Sequence, residues 1–387
     1  MPAEPAIAMP LRLDEGGPGS EGLGWLATKA EEAHFFLIGD TPGIAETSAL
    51  IAALLPRLDA AGYGAYAVEL GPWMAANVED IARRGGDELA RFLGDPANAR
   101  QAPVLGNKQE AALLRLLVDH WGATPRFLWG LDQEFLTSAP FLLDRLALFA
   151  ATDAQRAAIA AYRREAQAEP FYLARAPDSV FADLHALFAE GPAEARALID
   201  EMATAKHIYG PFLADDPRLG KAHARRERLM EENFHRFWNE RLQQGGGATR
   251  VLARLSMAHL HRHQTPAGVP SLGRSLHALA ATRGGAGFSL AILCGPGGRQ
   301  RLAEGGIRDC GDDFTGKFAA LTPYLASRQI TLFPSMALGK ALAGEAISPA
   351  LHRLIDGYDA IVVVGMATPT TPFETDESSS ISPSGAD

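Results

Sequence analysis

Short unbroken apolar runs, each closed by Gly, Pro, Asp or Glu, alternate along this chain with longer stretches of helical spacing. Phe35 to Ile38 is the first run, and it opens into Gly39-Asp40-Thr41-Pro42-Gly43. A strand buried on both faces reads this way when it feeds a covering helix. Thr41 suits a helix cap and Pro42 the first helical turn, where its fixed φ fits and its missing N–H is not needed. Gly64 to Leu70 is a second run, with Glu69 just ahead of the breaker pair Gly71-Pro72. Arg126 to Leu131 is a third, ending in Gly130-Leu131-Asp132. Between these two, Asn107 to Trp121 carries Ala111, Leu114, Leu117 and Val118 on one helical face.

From about Ala139 to Gln243 the strand signal disappears, and the spacing predicts a helical insertion or cap, broken at Glu169-Pro170, Gly191-Pro192 and Gly210-Pro211. Its last helix, about Leu219 to Gln243, places Arg226, Met230, Asn233 and Phe237 on one face with Leu229, so two polar residues interrupt an apolar stripe. Strands resume at Arg250 to Ser256, Gly287 to Cys294 and Ala360 to Gly365. The alternation predicts an α/β fold with right-handed crossovers and a mainly parallel central sheet flanked by helices. The expected organisation is a flexible arm over 1–24, an α/β core over 25–138 plus 244–367, a helical cap over 139–243 and a disordered tail over 368–387, rich in Thr, Ser and Pro.

Composition narrows the partners. The 387 residues, 47% hydrophobic and 21% charged, suit a globular enzyme of one large or two ordinary domains. A net charge of −10 without clustered Lys and Arg argues against nucleic acid and anionic membranes. No run approaches the roughly 18 apolar residues of a membrane span. The first twenty residues lack the basic start and apolar core of a signal peptide. A cytoplasmic location is expected, although a chain already trimmed of its export signal reads the same and Cys294 and Cys310 fit either compartment.

Parallel strands deliver their carboxyl ends to one edge, where ligands bind in open α/β sheets. That edge collects Asp40, Glu69 and Asp132 from the first three strands and His259, in Ser256-Met257-Ala258-His259, from the fourth. Each alone serves equally well as a cap or loop residue; four at one edge point to a site. Crowded carboxylates raise one another's pKa while a nearby Arg or His holds one ionised, so such a group can supply both a base and an acid. His259, His261 and His263 would share a face on a continuing strand and could hold a metal, but only His259 is expected to point inward, with the others on a wet loop. Gly295-Pro296-Gly297-Gly298 and Leu338-Gly339-Lys340 lack the Gly-Lys-Ser/Thr ending of a phosphate loop, and no Gly-x-Ser-x-Gly elbow occurs.

The order and spacing of these stretches carry a resemblance: Gly39-Asp40-Thr41-Pro42-Gly43 with Glu46, Val68-Glu69, Gly130-Leu131-Asp132, the helix from Arg226 and Glu227 through Met230 to Asn233, and Ser256-Met257-Ala258-His259. Together they resemble the erythromycin esterase family, within a superfamily that includes ChaN-like haem-binding proteins and the Tiki and TraB proteins. Three positions depart from that family's pattern: its His after the first strand appears as Pro42, its Glu as Asp40, and the first His of its His-Asn-Ala-His as Ser256. The resemblance implies catalytic roles for Glu69, as general base, His259, as its partner, and Asp40. It implies substrate-side roles for Arg226, which would stabilise negative charge, and for Asn233, Asp132 and Glu46. The implied activity is acid–base catalysis on a small-molecule or peptide-like substrate: hydrolysis of an ester, lactone or amide, or a related elimination or cyclisation. No cofactor is called for. The alternative is a catalytically silent ligand-binding relative, in which haem or a divalent metal would occupy the cleft.

Overall fold

The computed structural model describes residues 6–13, 20–214, 217–245, 250–302, 305–325 and 330–373. Among them the strands are β1 (Met9–Leu11), β2 (Phe35–Asp40), β3 (Tyr63–Val68), β4 (Leu128–Gly130), β5 (Arg250–Ser256), β6 (Gly287–Cys294), β7 (Arg299–Arg301), β8 (Ile307–Asp309), β9 (Ile330–Pro334) and β10 (Ala360–Val364). Eight of them form one sheet in the order β1-β9-β10-β6-β2-β5-β3-β4, while β7 and β8 make a separate antiparallel hairpin. β2 lies mid-sheet, parallel to β5 on one side and β6 on the other, and every residue along it is buried. That double burial is why Phe35 to Ile38 is an unbroken apolar run.

Alternation sorts the strands between two cores. Phe36, Ile38, Tyr66, Val68, Leu252, Leu290 and Ile292 pack on one face against the helices Glu21–Glu32, Ala45–Ala60 and Lys108–Trp121. Phe35, Leu37, Ala65, Ala67, Ala253 and Leu255 pack on the other against Met230, Phe234 and Trp238 of the helix Leu219–Gln243. From Ala139 to Gln243 the described chain is helical, and Leu142, Phe181, Leu198, Met202 and their neighbours form a separate cluster. The described residues contain no helix long and apolar enough to cross a membrane.

Several expectations are corrected. The sheet is mainly parallel, as expected, but β9 runs antiparallel to β10 and pairs with β1, so Met9–Leu11 is an edge strand and not part of a loose arm. The helix expected to start at Thr41-Pro42 starts at Ala45. Thr41 instead donates from both its N–H and its hydroxyl to Ile292 O, which holds 41–43 as a turn across the end of β6. Gly43 completes that turn at φ +83°, and a side chain there would meet Arg301 O at 2.0 Å. At the other end of the chain, Thr370 N donates to Gly43 O and Thr371 bonds to Gln109, so 368–373 is packed structure and not tail. The rest of the arm and tail expectations, at 1–5, 14–19 and 374–387, lies outside the described residues. Cys294 at the end of β6 is joined by a disulfide to Cys310, which ties the β7–β8 hairpin to the sheet.

Candidate active site

Two ionic networks meet at the carboxyl edge of the sheet, one on each face. Glu69 follows the Ala65–Ala67 side of β3 and accepts from Arg226 Nη2 at 2.7 Å and from Ser256 N at 2.7 Å. Arg226 also forks onto Asp132, Nε to Oδ1 at 2.9 Å and Nη2 to Oδ2 at 2.5 Å. β5 ends at Ser256, and the chain turns into a short helix, Met257–Leu260, in place of the continued strand expected from the His-x-His-x-His pattern. That turn aims His259 back between two carboxylates, with Nε2 3.6 Å from Glu69 Oε1 and Nδ1 2.5 Å from Glu227 Oε1. Glu227 is itself anchored by Leu272 N at 2.9 Å. Burial opposes charge on His259, but the negative charge of Glu69 and the hydrogen bond that His259 makes to Glu227 outweigh it, and its pKa is pushed up to about 9. Burial likewise opposes ionisation of Glu69, yet His259, Arg226 and Ser256 N hold it well below the usual carboxylate range.

On the opposite face Asp40 follows Phe36 and Ile38, and Arg254 of β5 donates to its Oδ2 from Nε at 2.9 Å and from Nη2 at 2.8 Å. Arg254 Nη1 also bonds the buried carboxylate of Glu110, which accepts from Ser48 Oγ. Asp40 Oδ1 has no protein donor among the described residues. Burial raises the Asp40 pKa, and the Arg254 guanidinium only partly offsets it, with the charges of Glu110 and Glu69 adding to the rise. Asp40 lines a cleft of about 380 Å³ together with Thr41, Pro42, Ser256 and Met257.

The structure therefore brings Asp40, Glu69, Asp132, Arg226 and His259 to one edge, divided between two faces. It does not bring Glu46, whose two carboxylate oxygens accept from Thr368 N at 3.0 and 3.1 Å. Asn233 arrives but is engaged, with Nδ2 donating to Leu131 O at 2.8 Å and Oδ1 accepting from Arg236, so it fixes the loop after β4. His261, expected on a wet loop, is buried, bonded through Nε2 to Arg353 O and through Nδ1 to His263 N. Sequence reasoning missed Arg254 and Glu110, and it quoted Glu227 in the helix motif without giving it a role. Arg254 was signalled as a charge set between Ala253 and Leu255 inside an apolar strand, and Glu110 by sharing a helical face with Leu113, Leu114 and Leu117.

Glu134, just past Asp132, caps the helix Pro72–Arg84 through Trp73 N at 2.7 Å and Met74 N at 3.4 Å. Only glycine fits at position 71, because a Cβ there would lie 2.2 Å from the Glu134 carboxyl carbon. Burial, helped by the charge of Glu201, pushes the Glu134 pKa up to about 8, against those two backbone donors. A carboxyl whose folded pKa is raised contributes stability that is complete below its unfolded pKa near 4.5 and is lost as pH rises toward 8. Glu134→Gln keeps an acceptor for Trp73 N without the ionisation. Its stability relative to wild type should therefore improve by about 2 kcal/mol between pH 5 and pH 7. Urea unfolding at the two pH values checks this, and parallel changes in both proteins would return Glu134 to an ordinary pKa.

No protein-family profile matches the chain, and no curated protein sequence does. Solved structures are similar to it over nearly their full length. A mutant of the erythromycin esterase EreC, in its open conformation, is 13% identical, with a TM-score of 0.62, 96% of this chain covered and 100% of the other. A succinoglycan biosynthesis protein is 13% identical, with a TM-score of 0.60, at 95% and 96% coverage. A Bacillus cereus protein is 14% identical, with a TM-score of 0.57, at 95% and 97% coverage. The chain thus has the α/β fold of erythromycin esterase, helical segment included.

Proposed function

We propose that this protein is an enzyme that works by acid–base catalysis on a small or medium organic substrate, with hydrolysis of an ester, lactone or amide as the leading chemistry. One observation carries the reading: a carboxyl and an imidazole, both with raised pKa, stand at one sheet edge, Asp40 lining the cleft as the stronger base of the edge carboxylates and His259, the residue after the cleft-lining Ala258, as a cationic acid. Asp40 takes the proton through the free Oδ1, from water in hydrolysis or from the substrate itself in an elimination or cyclisation. His259 gives the Nε2 proton to the leaving oxygen or nitrogen. At 3.6 Å from Glu69 that proton is loosely held. Glu69 is reassigned from base to anchor, because a carboxylate held ionised by a guanidinium and an imidazolium binds a proton too weakly to drive its abstraction. Arg226 stabilises charge at the edge as a fixed field, its Nε and Nη2 being committed to Asp132 and Glu69. Pro42 lines the cleft where the resembling family has its His, which leaves Asp40 as the cleft's carboxyl base. The buried Cys294–Cys310 disulfide supports the exported alternative over the cytoplasmic one, since such bonds persist in oxidising compartments.

The test is turnover of a panel of small esters, lactones and anilides across pH. Activity should need Asp40 ionised, so its acidic limb should lie above the ordinary Asp value of 3.8. It should also need His259 protonated, so it should fall as pH rises through about 9. Activity that climbs steadily past pH 10 would remove His259 as the acid. A panel with no turnover at any pH would remove the hydrolytic reading.

A further inference from the structure

We propose that the cleft selects an organic anion, a carboxylate or phosphate monoester on an apolar body, and that Arg308 is the residue that recognises it. The inference rests on this cleft being the substrate site. Its outer wall is the β7–β8 hairpin with the helix Gly311–Phe318, fastened to the end of β6 by the Cys294–Cys310 disulfide. Four charged side chains line it: Asp40, Arg308, Asp313 and Lys317. Three are spoken for. Asp40 is held by Arg254, and Lys317 Nζ lies 2.7 Å from Asp313 Oδ1 one helical turn away. The side chain of Arg308, in the exposed strand β8, has no hydrogen bond or ion pair with any described residue.

An unpaired guanidinium at a cleft is a planar fork matched to two oxygens of a carboxylate or phosphate. On a chain of net charge −10 the four charged side chains of the cleft sum to zero, and Arg308 is the cation among them without a carboxylate partner, so it is the one an incoming anion can neutralise. Phe318, half-buried over the buried Phe314, lines the same cleft and offers apolar surface to the body of such a molecule. Asp40 lines it too, so an anion seated on Arg308 has its body beside the proposed base.

The experiment is calorimetric titration of the full chain at pH 7 and low salt with phenyl phosphate and with benzoate, on wild type, Arg308→Gln and Arg299→Gln. Arg299 is an exposed cation on the partner strand β7 that does not line the cleft. At least one anion should bind wild type, weaken about tenfold or more in Arg308→Gln, and change at most about twofold in Arg299→Gln. No binding to wild type, equal losses in both variants, or unchanged binding in Arg308→Gln would each overturn the proposal. Arg308-dependent binding in a protein that turns over nothing would sink the catalytic reading alone. Turnover of neutral esters that is equal in wild type and Arg308→Gln, with no anion binding, would sink the anion preference alone.

Discussion

Replacing Arg254 by methionine should destabilise the fold by about 3–5 kcal/mol at neutral pH, the usual cost of stripping a buried charge of its partner. Arg254 is the cation between Asp40 and Glu110; both carboxylates are buried, and the Arg254 side chain is 12% exposed. Removing it leaves two carboxyl groups facing each other with only Ser48 Oγ as a neutral donor to Glu110. Asp40, whose pKa burial already raises against the Arg254 guanidinium, would rise further without that cation, so its native form would favour the proton. The contribution of a group with a raised folded pKa is present at low pH and lost as pH rises. The penalty should accordingly be smaller at pH 5 than at pH 8. Urea unfolding at both values measures it. A triple variant carrying Asp40→Asn and Glu110→Gln beside Arg254→Met should recover most of the loss, because no buried charge remains unpaired. A penalty below about 1 kcal/mol at pH 8 would mean that water reaches the network and that the pair is not a buried one.

Asp40→Asn should lower turnover by about 10²–10⁴-fold, and Glu69→Gln by a comparable amount, but for different reasons that the pH profile separates. Asparagine at 40 removes the proton acceptor and leaves His259 between its two carboxylates, so the fall near pH 9 should stay where it is. Glutamine at 69 removes the largest charge favouring imidazolium. The fall should then move down toward the ordinary His value of 6.5, since Glu227 alone must oppose the burial. If the limb near pH 9 moves in Asp40→Asn and stays fixed in Glu69→Gln, the assignments of base and anchor are the wrong way round.

The strands that could be read from the sequence are the doubly buried ones, β2, β3, β4, β5, β6 and β10, because burial on both faces forces an apolar run with no polar alternation. β9 escaped because Ile330–Pro334 is only five residues long and runs straight into the apolar start of the helix Ser335–Ala341. β1 is three residues, below the length at which any period can be recognised. Most of the site residues were legible for a similar reason: a polar residue ending a buried strand stands out. Their division was readable too, since Phe36, Ile38 and Asp40 share a parity while Ala65, Ala67 and Glu69 share another, but which parity faces which helix is a tertiary fact. What the sequence hid was partnership. Asn233 on its apolar stripe looks free to meet a ligand until Leu131 O is seen at its amide, and Glu46 looks like part of the edge until Thr368 is.

The central place of β2 has a consequence for how the protein is made. Its two neighbours, β5 and β6, lie more than two hundred residues downstream, so the first strand of the parallel core emerges from the ribosome with nothing to pair with. At ordinary synthesis rates the wait is on the order of tens of seconds. Throughout it Phe35 to Ile38 is an exposed apolar segment with two open edges, the kind of segment that associates with other chains. The helices between Ala139 and Gln243, whose contacts are local, can form during that interval. A nascent chain of this topology is thus a client for holding chaperones until Cys294 has been synthesised, and a fragment ending before β5 has no route to the native sheet.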